Sequence, residues 1–567
     1  MKQYKLYITD RMYTDYDFLS NENKPFDELK KNFNPIENCL FNGDIIDYDN
    51  GVKNVYSPIR NSKYLSGILV LSDNKIYGKH KNKFLYKCIP DDKRIPVFLI
   101  PYEIKNTSFD KTVVNKYVLF RFNKWDIDDK HPSGILHESL GNVDIITNYY
   151  EYQLYCKSLY SSMSLFNKET RNRFKNKTND DYIEKILQKH KNIEDRTHLN
   201  VFTIDPPKSQ DYDDGMGIQI KSNQTILSIY ISNVVMWMDV LDLWSAFSER
   251  VATIYLPDYK RPMLPTILSD SLCSLIKNER RFALSLDIII ENGVIVDFKF
   301  LNTIIKINEN YEYEDSKLLE NNDYKNIVKT IGLISNEKKY KYIHHINSSN
   351  DVVTYLMIMM NYISSRNMYE NKNGIYRAVA INKSYEIPQD IPENIKKYLK
   401  IWHSSTGQYM LYDNNVQHDL LEMETYIHIT SPIRRLVDLL NLMQLQWNLN
   451  IIKKTDESDI FYTKWIEKLD YINITMRSIR KVQTDCNLLN ICTKSNKILE
   501  NVYEGYIFDK LARNDGLFHY IVYLPELKLT NRIILIDNIE DYSKMNFKIY
   551  IFNDESTLKR KMRLQIV

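Results

Sequence analysis

Apolar and polar positions alternate in short runs towards both ends of the chain and follow helical spacing through much of its middle. In residues 66–150, runs such as "GILVLSDNKIYGK" and "KYVLFRFNKWDI" are separated by turn residues, which predicts a small β-barrel or sandwich. Residues 1–65 form a β-rich region, and "HPSGILHESLG" reads as a turn-rich exit from the barrel. Residues 496–567 return to short β-like runs and predict a further β domain.

The segment between these β-rich ends is predicted to combine helices and strands. Residues 151–195 carry helical periodicity, with a basic middle that a solvated helix face explains: Arg171, Arg173, Lys175 and Lys177. Residues 196–495 contain an alternating strand, "TILSIYISNVV", and a hairpin, "SLDIIIENGVIVDFKF", that turns at Asn292-Gly293. The stretches "TYLMIMMNYISSRNMY" and "IRRLVDLLNLMQLQW" follow with helical spacing. The pattern therefore predicts a multidomain α+β protein with a central mixed α/β domain.

Composition narrows the function classes only slightly. The 567 residues exceed one ordinary domain, and 76 basic against 73 acidic side chains leave a formal net charge of +3. Net charge therefore does not identify a nucleic-acid binder, and any basic surface has to be local. Six cysteines without a C-x-x-C spacing form neither a zinc signature nor a disulfide framework, which favours a reducing compartment. With no signal-peptide core and no membrane-length apolar run, we expect a soluble intracellular protein, cytoplasmic or nuclear.

The stretch "FTIDPPKSQDYDDGMGI" concentrates four aspartates within ten residues: Asp205, Asp211, Asp213 and Asp214. Carboxylates that lie 4 Å apart in partly screened surroundings repel one another by roughly several kcal/mol per pair. Hard divalent ions with oxygen ligands are the natural partners of such a group. The two prolines exclude a helix or a central strand, so Asp205 is predicted to end one strand and the other three to enter the next. The glycines after Asp214 allow a turn or a bulge there.

Two other interpretations compete with a metal site at this acidic stretch. An EF-hand loop beginning at Asp211 fails, because its fifth and sixth positions are Gly215 and Met216 instead of Asp or Asn and then Gly. An acidic surface turn without a metal fits the stretch as well and is, for the stretch alone, the more common outcome. The acidic stretch by itself leaves both a metal site and a plain turn open.

A second stretch, "HITSPIRRLVDLL", favours the metal site. Ser431-Pro432 has the form of a helix start, with the serine as N-cap and the proline at the first helical position. Arg434 and Arg435 then fall in the first turn, where the helix dipole disfavours cations. Pairing with neighbouring acids would explain them, and so would a phosphate held by helix N–H groups and guanidiniums. An acidic metal cluster combined with such an anion site is what phosphodiester cleavage requires.

Together these two stretches resemble the RNB family, which contains ribonuclease II, ribonuclease R and the Dis3-like exosome nuclease. The family pattern T-I-D-x-x-x-(A/S)-x-D-x-D-D is matched from Thr203 to Asp214, and H-F-T-S-P-I-R-R-Y-x-D-L is matched from His428 to Leu439. A third block, from Tyr255 to Leu286, resembles the family's Y-L-P-x-x-x-x-P-M-L-P stretch and carries Arg281 where the family has an arginine. Three motifs in the family's order make this a specific resemblance.

The resemblance also assigns the flanking regions. It implies a first cold-shock-like barrel that includes residues 1–65, a cold-shock/OB-like domain at 66–150, a helical linker at 151–195, an RNB catalytic domain at 196–495 and an S1-like OB domain at 496–567. OB-type barrels bind single strands through basic grooves and stacking aromatic side chains. No PIN endonuclease domain is expected upstream of these barrels.

An activity is implied as well: processive 3′→5′ hydrolysis of single-stranded RNA to nucleoside 5′-monophosphates. It depends on one or two Mg²⁺ ions, for which Mn²⁺ can substitute. The resemblance makes Asp205, Asp211, Asp213 and Asp214 the metal ligands that also hold the attacking water, and it puts Arg434 at the scissile phosphate. The further residues that it assigns to the substrate are Arg435, Ser431, Trp237, Arg281, Tyr255 and His428. For Trp237, stacking on the 3′-terminal nucleotides and ordinary core packing both stay open.

Three departures from the family pattern concern substrate grip, rate and product size. Asn233 stands where relatives carry an aspartate, Leu442-Met443 replaces a His-Arg pair, and Gln483 replaces a glutamate. None of these positions is an expected metal ligand, so we expect an active, monomeric exoribonuclease whose partners are single-stranded RNA and an RNA-decay complex, with no membrane partner. A catalytically impaired RNA-binding or assembly protein on the same scaffold stays open, and so, more weakly, does a DNA exonuclease.

Overall fold

The computed structural model describes residues 3–48, 52–104, 113–343, 346–381, 385–404, 407–413, 416–513, 515–554 and 558–567. The chain divides into two compact units. One consists of residues 1–160, 256–258 and 481–567, and the other of residues 161–255 and 259–480. No helix in the described part of the chain is long and apolar enough to span a lipid bilayer.

A four-stranded antiparallel sheet begins the chain, in the order β2-β1-β3-β4. Its elements are β1 (Gln3–Ile8), β2 (Tyr16–Leu19), helix α1 (Asp27–Asn32), β3 (Ile45–Tyr48) and β4 (Val52–Tyr56). Side chains of β1 alternate strictly between exposed and buried, so that Tyr4, Leu6 and Ile8 enter a small core. The β character predicted for this region is confirmed.

A six-stranded β-sheet of OB type follows, in the order β5-β9-β10-β8-β7-β6, and β5 also pairs with β7, which closes the ring. The strands are β5 (Leu65–Leu69), β6 (Lys79–His80), β7 (Lys83–Pro90), β8 (Phe98–Tyr102), β9 (Lys116–Lys124) and β10 (Ser133–Asn142). The prediction that "HPSGILHESLG" is a turn-rich exit was wrong, because most of it forms β10. Register shifts just before Gly134, between Leu136 and Glu138, and just before Gly141 let this irregular strand pair with β9.

Three helices come next: α2 (Ile146–Cys156), α3 (Ser164–Arg173) and α4 (Asn179–Lys189). The basic residues Arg171, Arg173, Lys175 and Lys177 are all exposed, which confirms the prediction of a solvated face. The N-cap of helix α4 is Thr178, whose side chain forms a reciprocal capping box with Asp181. The helical character predicted for this stretch is therefore confirmed, although the helices begin five residues earlier than expected.

The core of the second unit is a closed five-stranded barrel in the order β11-β12-β13-β16-β17. Its elements are β11 (Glu194–Asp205), β12 (Asp214–Ile220), β13 (Thr225–Ser232), helix α5 (Val234–Leu241), a ribbon of β14 (Ile254–Tyr255) and β15 (Lys260–Arg261), β16 (Arg280–Glu291) and β17 (Val294–Glu312). The pairing of β11 with β17 is parallel, and the other barrel pairings are antiparallel.

Two turn predictions in this barrel had different outcomes. The hairpin turn is confirmed, since Asn292 and Gly293 both have positive φ (52° and 81°), as a two-residue turn of type I′ requires. The turn or bulge expected at the glycines after Asp214 was wrong, because Gly215 and Gly217 lie inside β12. They serve a close approach instead: a Cβ on Gly217 would lie 2.9 Å from the carbonyl oxygen of Asn200 in β11.

Helices dominate the chain from residue 316 to residue 500. The elements are α6 (Ser316–Glu320), α7 (Asn322–Ile334), α8 (Ser349–Glu370), β18 (Ile375–Ala378), α9 (Glu393–His403), β19 (Gln408–Leu411), α10 (Leu436–Asn448), α11 (Asp456–Glu467), α12 (Leu469–Lys494) and α13 (Asn496–Glu500). Strands β18 and β19 pair as an antiparallel ribbon. The two helices predicted from apolar spacing correspond to α8 and α10.

A five-stranded antiparallel sheet ends the chain, in the order β22-β21-β20-β23-β24. Its strands are β20 (Val502–Ala512), β21 (Phe518–Leu524), β22 (Leu529–Leu535), β23 (Lys544–Asp554) and β24 (Lys559–Ile566). Tyr503, Ile507 and Phe547 lie in its core. The predicted fold class is confirmed: a multidomain α+β protein whose central mixed domain is flanked by β domains.

Candidate active site

The acidic stretch lies at one edge of the five-stranded barrel. Strand β11 ends at Asp205 and β12 begins at Asp214, so antiparallel pairing of the two strands returns the chain to the same edge. The amide of Ser232 donates to the carbonyl oxygen of Asp213 over 2.8 Å, which ties the loop to β13. The strand end at Asp205 was predicted from the two prolines, and it is confirmed.

Asp213 connects the acidic stretch to the "SPIRR" turn. Its Oδ1 accepts a hydrogen bond from the amide of Ile433 (2.9 Å), and its Oδ2 accepts one from Nε of Arg434 (3.0 Å). Nη2 of Arg434 donates to Oγ of Ser431 over 3.0 Å, while Nη1 has no hydrogen-bond partner among the described residues. Because 42% of the Arg434 side chain is exposed, that free N–H edge is available to an anion.

The arginines precede helix α10 instead of lying in its first turn, so the prediction of Ser431 as the N-cap was wrong. The amides of Arg434 and Arg435 both donate to the carbonyl oxygen of Ser431, and Arg435 has extended backbone angles. The cause is an antiparallel contact with a neighbouring segment: the amide of Thr253 donates to the carbonyl oxygen of Arg434. Since the helix begins only at Leu436, its dipole does not oppose the two guanidiniums.

The guanidinium of Arg435 is held by neighbouring side chains and, unlike that of Arg434, does not present a free N–H edge to an anion. Its Nη2 donates to Oδ1 of Asp438 (2.8 Å) and to Oγ of Ser431 (3.2 Å). The same Oδ1 accepts the amide of Ser431, so the fully buried Asp438 fixes the base of the turn. Ser431 is buried, and its hydroxyl oxygen accepts a hydrogen bond from each of the two guanidiniums. Its side chain therefore orients the arginines, and it is not exposed for the substrate contact that was expected.

Asp211 points to a different set of partners. Its Oδ2 accepts a hydrogen bond from the hydroxyl of Tyr255 (2.6 Å), and its Oδ1 forms an ion pair with Nζ of Lys260 (3.2 Å). Nζ of Lys260 also lies 2.9 Å from Oδ1 of Asp270. Burial and the adjacent Asp211 raise the pKa of Tyr255, so its hydroxyl stays a donor.

Burial raises the pKa of three of the four carboxyls far above the ordinary value. The pKa of Asp205, of Asp213 and of Asp214 each rises to about 7. Loss of water is the largest cause for each, and repulsion by neighbouring carboxylates adds to it, whereas Arg434 lowers the pKa of all three. In the metal-free site these three carboxyls are therefore partly protonated at neutral pH.

Asp205 and Asp214 are the two carboxylates of the cluster that could hold a divalent cation. Oδ2 of Asp205 is buried without a hydrogen-bond partner, and the carboxylate of Asp214 accepts no hydrogen bond from any described residue. The four-carboxylate cage predicted from the sequence is not formed: in the described ranges, no three or more His, Cys, Asp or Glu side chains are arranged to hold a metal ion. The reason is that Asp211 and Asp213 turn their oxygens to Lys260, Tyr255 and Arg434.

Comparison with protein families identifies this region. The model of the RNB domain matches residues 193–338 and 329–451, and the model of the Dis3-like cold-shock domain 2 matches residues 85–152. Residues 193–451 therefore form an RNB domain. The matched RNB domain contains the barrel, Asp205 and the Arg434 turn, and the matched cold-shock domain falls on the OB-type sheet.

Individual relatives agree with this assignment. The ribonuclease R of Mycoplasmopsis pulmonis is 27% identical over 328 residues, which are 46% of this chain and 45% of that protein, so the chain matches about half of this relative's length. A structure of Mycoplasma genitalium RNase R with ribose-methylated single-stranded RNA covers 99% of this chain and all of that one (TM-score 0.69, 16% identity). Yeast Ssd1, a pseudonuclease, covers 96% of this chain and 80% of its own (TM-score 0.62, 13% identity). At these identities the two structures establish the fold alone.

Two of the substrate contacts expected in the RNB domain are corrected by burial. Trp237 is 1% exposed in α5 and packs edge-to-face on Phe282, so of its two interpretations the structure favours core packing. Arg281 is also buried, and its Nε donates to the carbonyl oxygen of Ser274 over 2.7 Å. Both side chains hold the RNB barrel together and offer no surface to an RNA strand.

His428 lies beside the site and is partly exposed. Its Nδ1 shares a hydrogen bond of 2.9 Å with the hydroxyl of Tyr409 in β19. Burial and the nearby guanidiniums of Arg435 and Arg377 lower the pKa of His428 well below its usual range. A neutral imidazole of this kind supports the turn before Arg434, and its contact with substrate stays a prediction.

Sequence reasoning missed Lys260, the cation nearest to Asp211. It lies directly across the β14–β15 ribbon from Tyr255 and belongs to the third RNB block. A half-buried lysine among aspartates cannot be recognised until the pairing of the ribbon is known. The substitution at Asn233 is also explained only by the fold, because this residue is buried and its Nδ2 donates to Asn302 (2.9 Å) and Gln446 (2.8 Å).

Proposed function

We propose that this RNB-family chain is an exoribonuclease that degrades single-stranded RNA from its 3′ end, processively and with Mg²⁺ or Mn²⁺, to nucleoside 5′-monophosphates. The observation that carries the proposal is the junction of Asp213 with Arg434. It unites a buried acidic cluster and a half-exposed guanidinium in one site. RNB relatives named ribonuclease R and exoribonuclease 2 support the reaction class.

Arg434 would bind the scissile phosphate. Its Nε and Nη2 are held by Asp213 and Ser431, so the remaining N–H edge points outward in a fixed orientation. When water attacks the phosphorus, negative charge grows on the phosphate oxygens, and the bond to the 3′ oxygen of the preceding nucleotide breaks. A guanidinium fixed in advance stabilises that charge without reorganising at the moment of reaction.

Asp213 and the turn before α10 would act through Arg434. The Asp213 carboxylate receives one N–H of the turn and one of the guanidinium, so it sets both the position and the direction of Arg434. Arg435, anchored on Asp438, supports the same turn from the other side. These residues hold the catalytic group in place and need no contact of their own with RNA.

Asp205 and Asp214 would hold the divalent cation. Oδ2 of Asp205 has no hydrogen-bond partner among the described residues, and burial raises the pKa of both carboxyls more than the nearby guanidinium of Arg434 lowers it. When bound, Mg²⁺ supplies Lewis-acid polarisation of a phosphodiester, and it commonly uses one or two carboxylates together with substrate phosphates. Two protein carboxylates are therefore a sufficient set.

A second candidate is an RNA-binding protein without nuclease activity. The fold likeness to the yeast pseudonuclease favours it, and so does the engagement of Asp211 and Asp213 by protein cations. The two candidates separate in one assay with a labelled RNA and a DNA oligonucleotide of the same sequence. Degradation of the RNA alone supports the ribonuclease, and degradation of both oligonucleotides supports a less selective nuclease. If neither is degraded and the RNA is bound, the result supports the binding protein.

A further inference from the structure

The ammonium group of Lys260 lies beside the acidic cluster, where a metal ion could otherwise bind. It lies in β15, and the ribbon register places it directly opposite Tyr255 in β14. Its Nζ is 3.2 Å from Oδ1 of Asp211 and 2.9 Å from Oδ1 of Asp270, and the side chain is only 17% exposed. One ammonium group therefore joins two carboxylates in a sheltered position.

The two ribbon residues together use both oxygens of Asp211. Tyr255 donates its hydroxyl to Oδ2, and Lys260 donates to Oδ1, while the Asp211 side chain is 8% exposed. A divalent ion at Asp211 would have to share each oxygen with a donor that is already bound, or displace the hydroxyl and the ammonium group. The displaced ammonium would also remain near the ion, where like charges repel.

The carboxylates of Asp205 and Asp214, in contrast, have no side-chain cation from the described residues bound to them. Asp205 keeps a buried Oδ2 without any donor, and Asp214 receives no hydrogen bond from the described residues. Asp213 is neutralised by Arg434. Asp211 and Asp213 are therefore paired with side-chain cations. Asp205 and Asp214 are left to bind an exchangeable metal ion.

We propose that Lys260 is the built-in cation of Asp211 and that the site consequently takes a single divalent ion, at Asp205 and Asp214. This inference rests on the proposed function, because it assigns the cation requirement of that same site. It also gives Lys260 a positioning role, since the ammonium holds Asp211 and Asp270 together at the edge of the ribbon.

The test is a Mn²⁺ titration of the full chain by calorimetry and by the electron paramagnetic resonance signal of free Mn²⁺. Wild type should bind one Mn²⁺ with an affinity that Asp205→Asn lowers by about 100-fold or more, and that Asp211→Asn changes by less than about threefold. Lys260→Met should create a second, weaker Mn²⁺ site, which adding Asp211→Asn should remove. Lys260→Arg keeps a cation at this position and should still bind one Mn²⁺ ion.

Lys277→Met is the matched control, because Lys277 pairs with Glu309 on the surface and makes no contact with Asp211. It should bind one Mn²⁺, and circular dichroism should show all variants folded. Two Mn²⁺ ions in wild type, a loss in Asp211→Asn equal to that in Asp205→Asn, or an unchanged single site in Lys260→Met would each overturn the proposal. RNA degradation is measured in parallel: if RNA stays intact while one Mn²⁺ binds as expected, the proposed function fails and the role of Lys260 stands.

Discussion

Nε of Arg434 donates to Oδ2 of Asp213 over 3.0 Å, although the two residues are 221 positions apart in the chain. The other oxygen of the same carboxylate accepts the amide of Ile433. One buried aspartate therefore fixes both the turn and the side chain that the RNB domain offers to a phosphate. Several expectations about this chain depend on that contact.

Replacing Asp213 with Asn should abolish RNA degradation and leave RNA binding nearly intact. An asparagine can still accept the amide of Ile433 through its oxygen, but its NH₂ group cannot accept from Nε of Arg434. The guanidinium then loses its direction, and we expect kcat to fall by about 10³-fold or more. Single-turnover degradation and fluorescence anisotropy with a labelled single strand measure the two effects separately.

The matched control is Asp297→Asn, which changes an exposed aspartate on the β16–β17 hairpin of the same barrel. It should leave both activity and binding unchanged. An active Asp213→Asn variant, or one that has lost RNA affinity as completely as activity, would contradict the role assigned to the Asp213–Arg434 contact.

Arg434→Lys should lower kcat by about 10²–10³-fold while KM changes little. A lysine keeps the charge, but it cannot donate to Asp213, Ser431 and a phosphate from a planar fork. Steady-state kinetics on a single-stranded RNA gives both constants. Arg280→Lys serves as the control, because Arg280 is a surface residue paired with Asp180. If Arg434→Lys retains wild-type kcat, the guanidinium geometry is not what the reaction uses.

Removing Asp214 should stabilise the metal-free protein at high pH but not at low pH. The folded pKa of Asp214 is about 7 and its ordinary value is 3.8, so from about pH 4 to 7 the folded chain holds a proton that the unfolded chain has released. Stability of the metal-free wild type therefore falls as pH rises through this window. In EDTA, the melting temperature of Asp214→Asn should exceed that of wild type at pH 8 and converge with it near pH 4.5. Equal differences at both pH values would contradict the raised pKa.

Asn233→Asp, which introduces the aspartate expected from the family pattern, should destabilise this chain by about 1–3 kcal/mol. Nδ2 of Asn233 donates to the oxygens of Asn302 and Gln446, and a carboxylate would place acceptor against acceptor in a fully buried site. Even if Asn302 turned its unpartnered Nδ2 inward, the new charge would remain buried. Urea denaturation measures the change, with the exposed Asn223→Asp as control; an unchanged midpoint would show that the network adapts to either residue.

Local chemistry was enough to predict much of the fold. Asn292-Gly293 permits the two positive φ angles of a tight hairpin, and the two prolines after Asp205 interrupt any regular element. Both signals act within a few residues, so the sequence contains them in full. The strand β10 was missed because its glycines read as turn residues, and only pairing with β9 makes them strand positions.

The site was predictable as a set of residues but not as a set of contacts. The aspartates and arginines were found from their motifs, whereas the extended segment before α10 depends on Thr253, far away in the sequence. The burial of Trp237 and the ion pair of Lys260 with Asp211 also arise from tertiary packing. Local patterns carry no information on which carboxylate meets which cation.

The most direct test of the account follows the products of one single-stranded RNA, labelled at its 5′ or its 3′ end, with Mg²⁺ and with EDTA. With Mg²⁺, the 3′ label should appear at once as a mononucleotide, while the 5′ label passes to a short end product without abundant intermediates. EDTA and Asp213→Asn should leave both labels at full length. Full-length RNA in the presence of Mg²⁺ and wild-type protein, with the RNA bound, would contradict the exoribonuclease and identify an RNA-binding protein on the RNB fold.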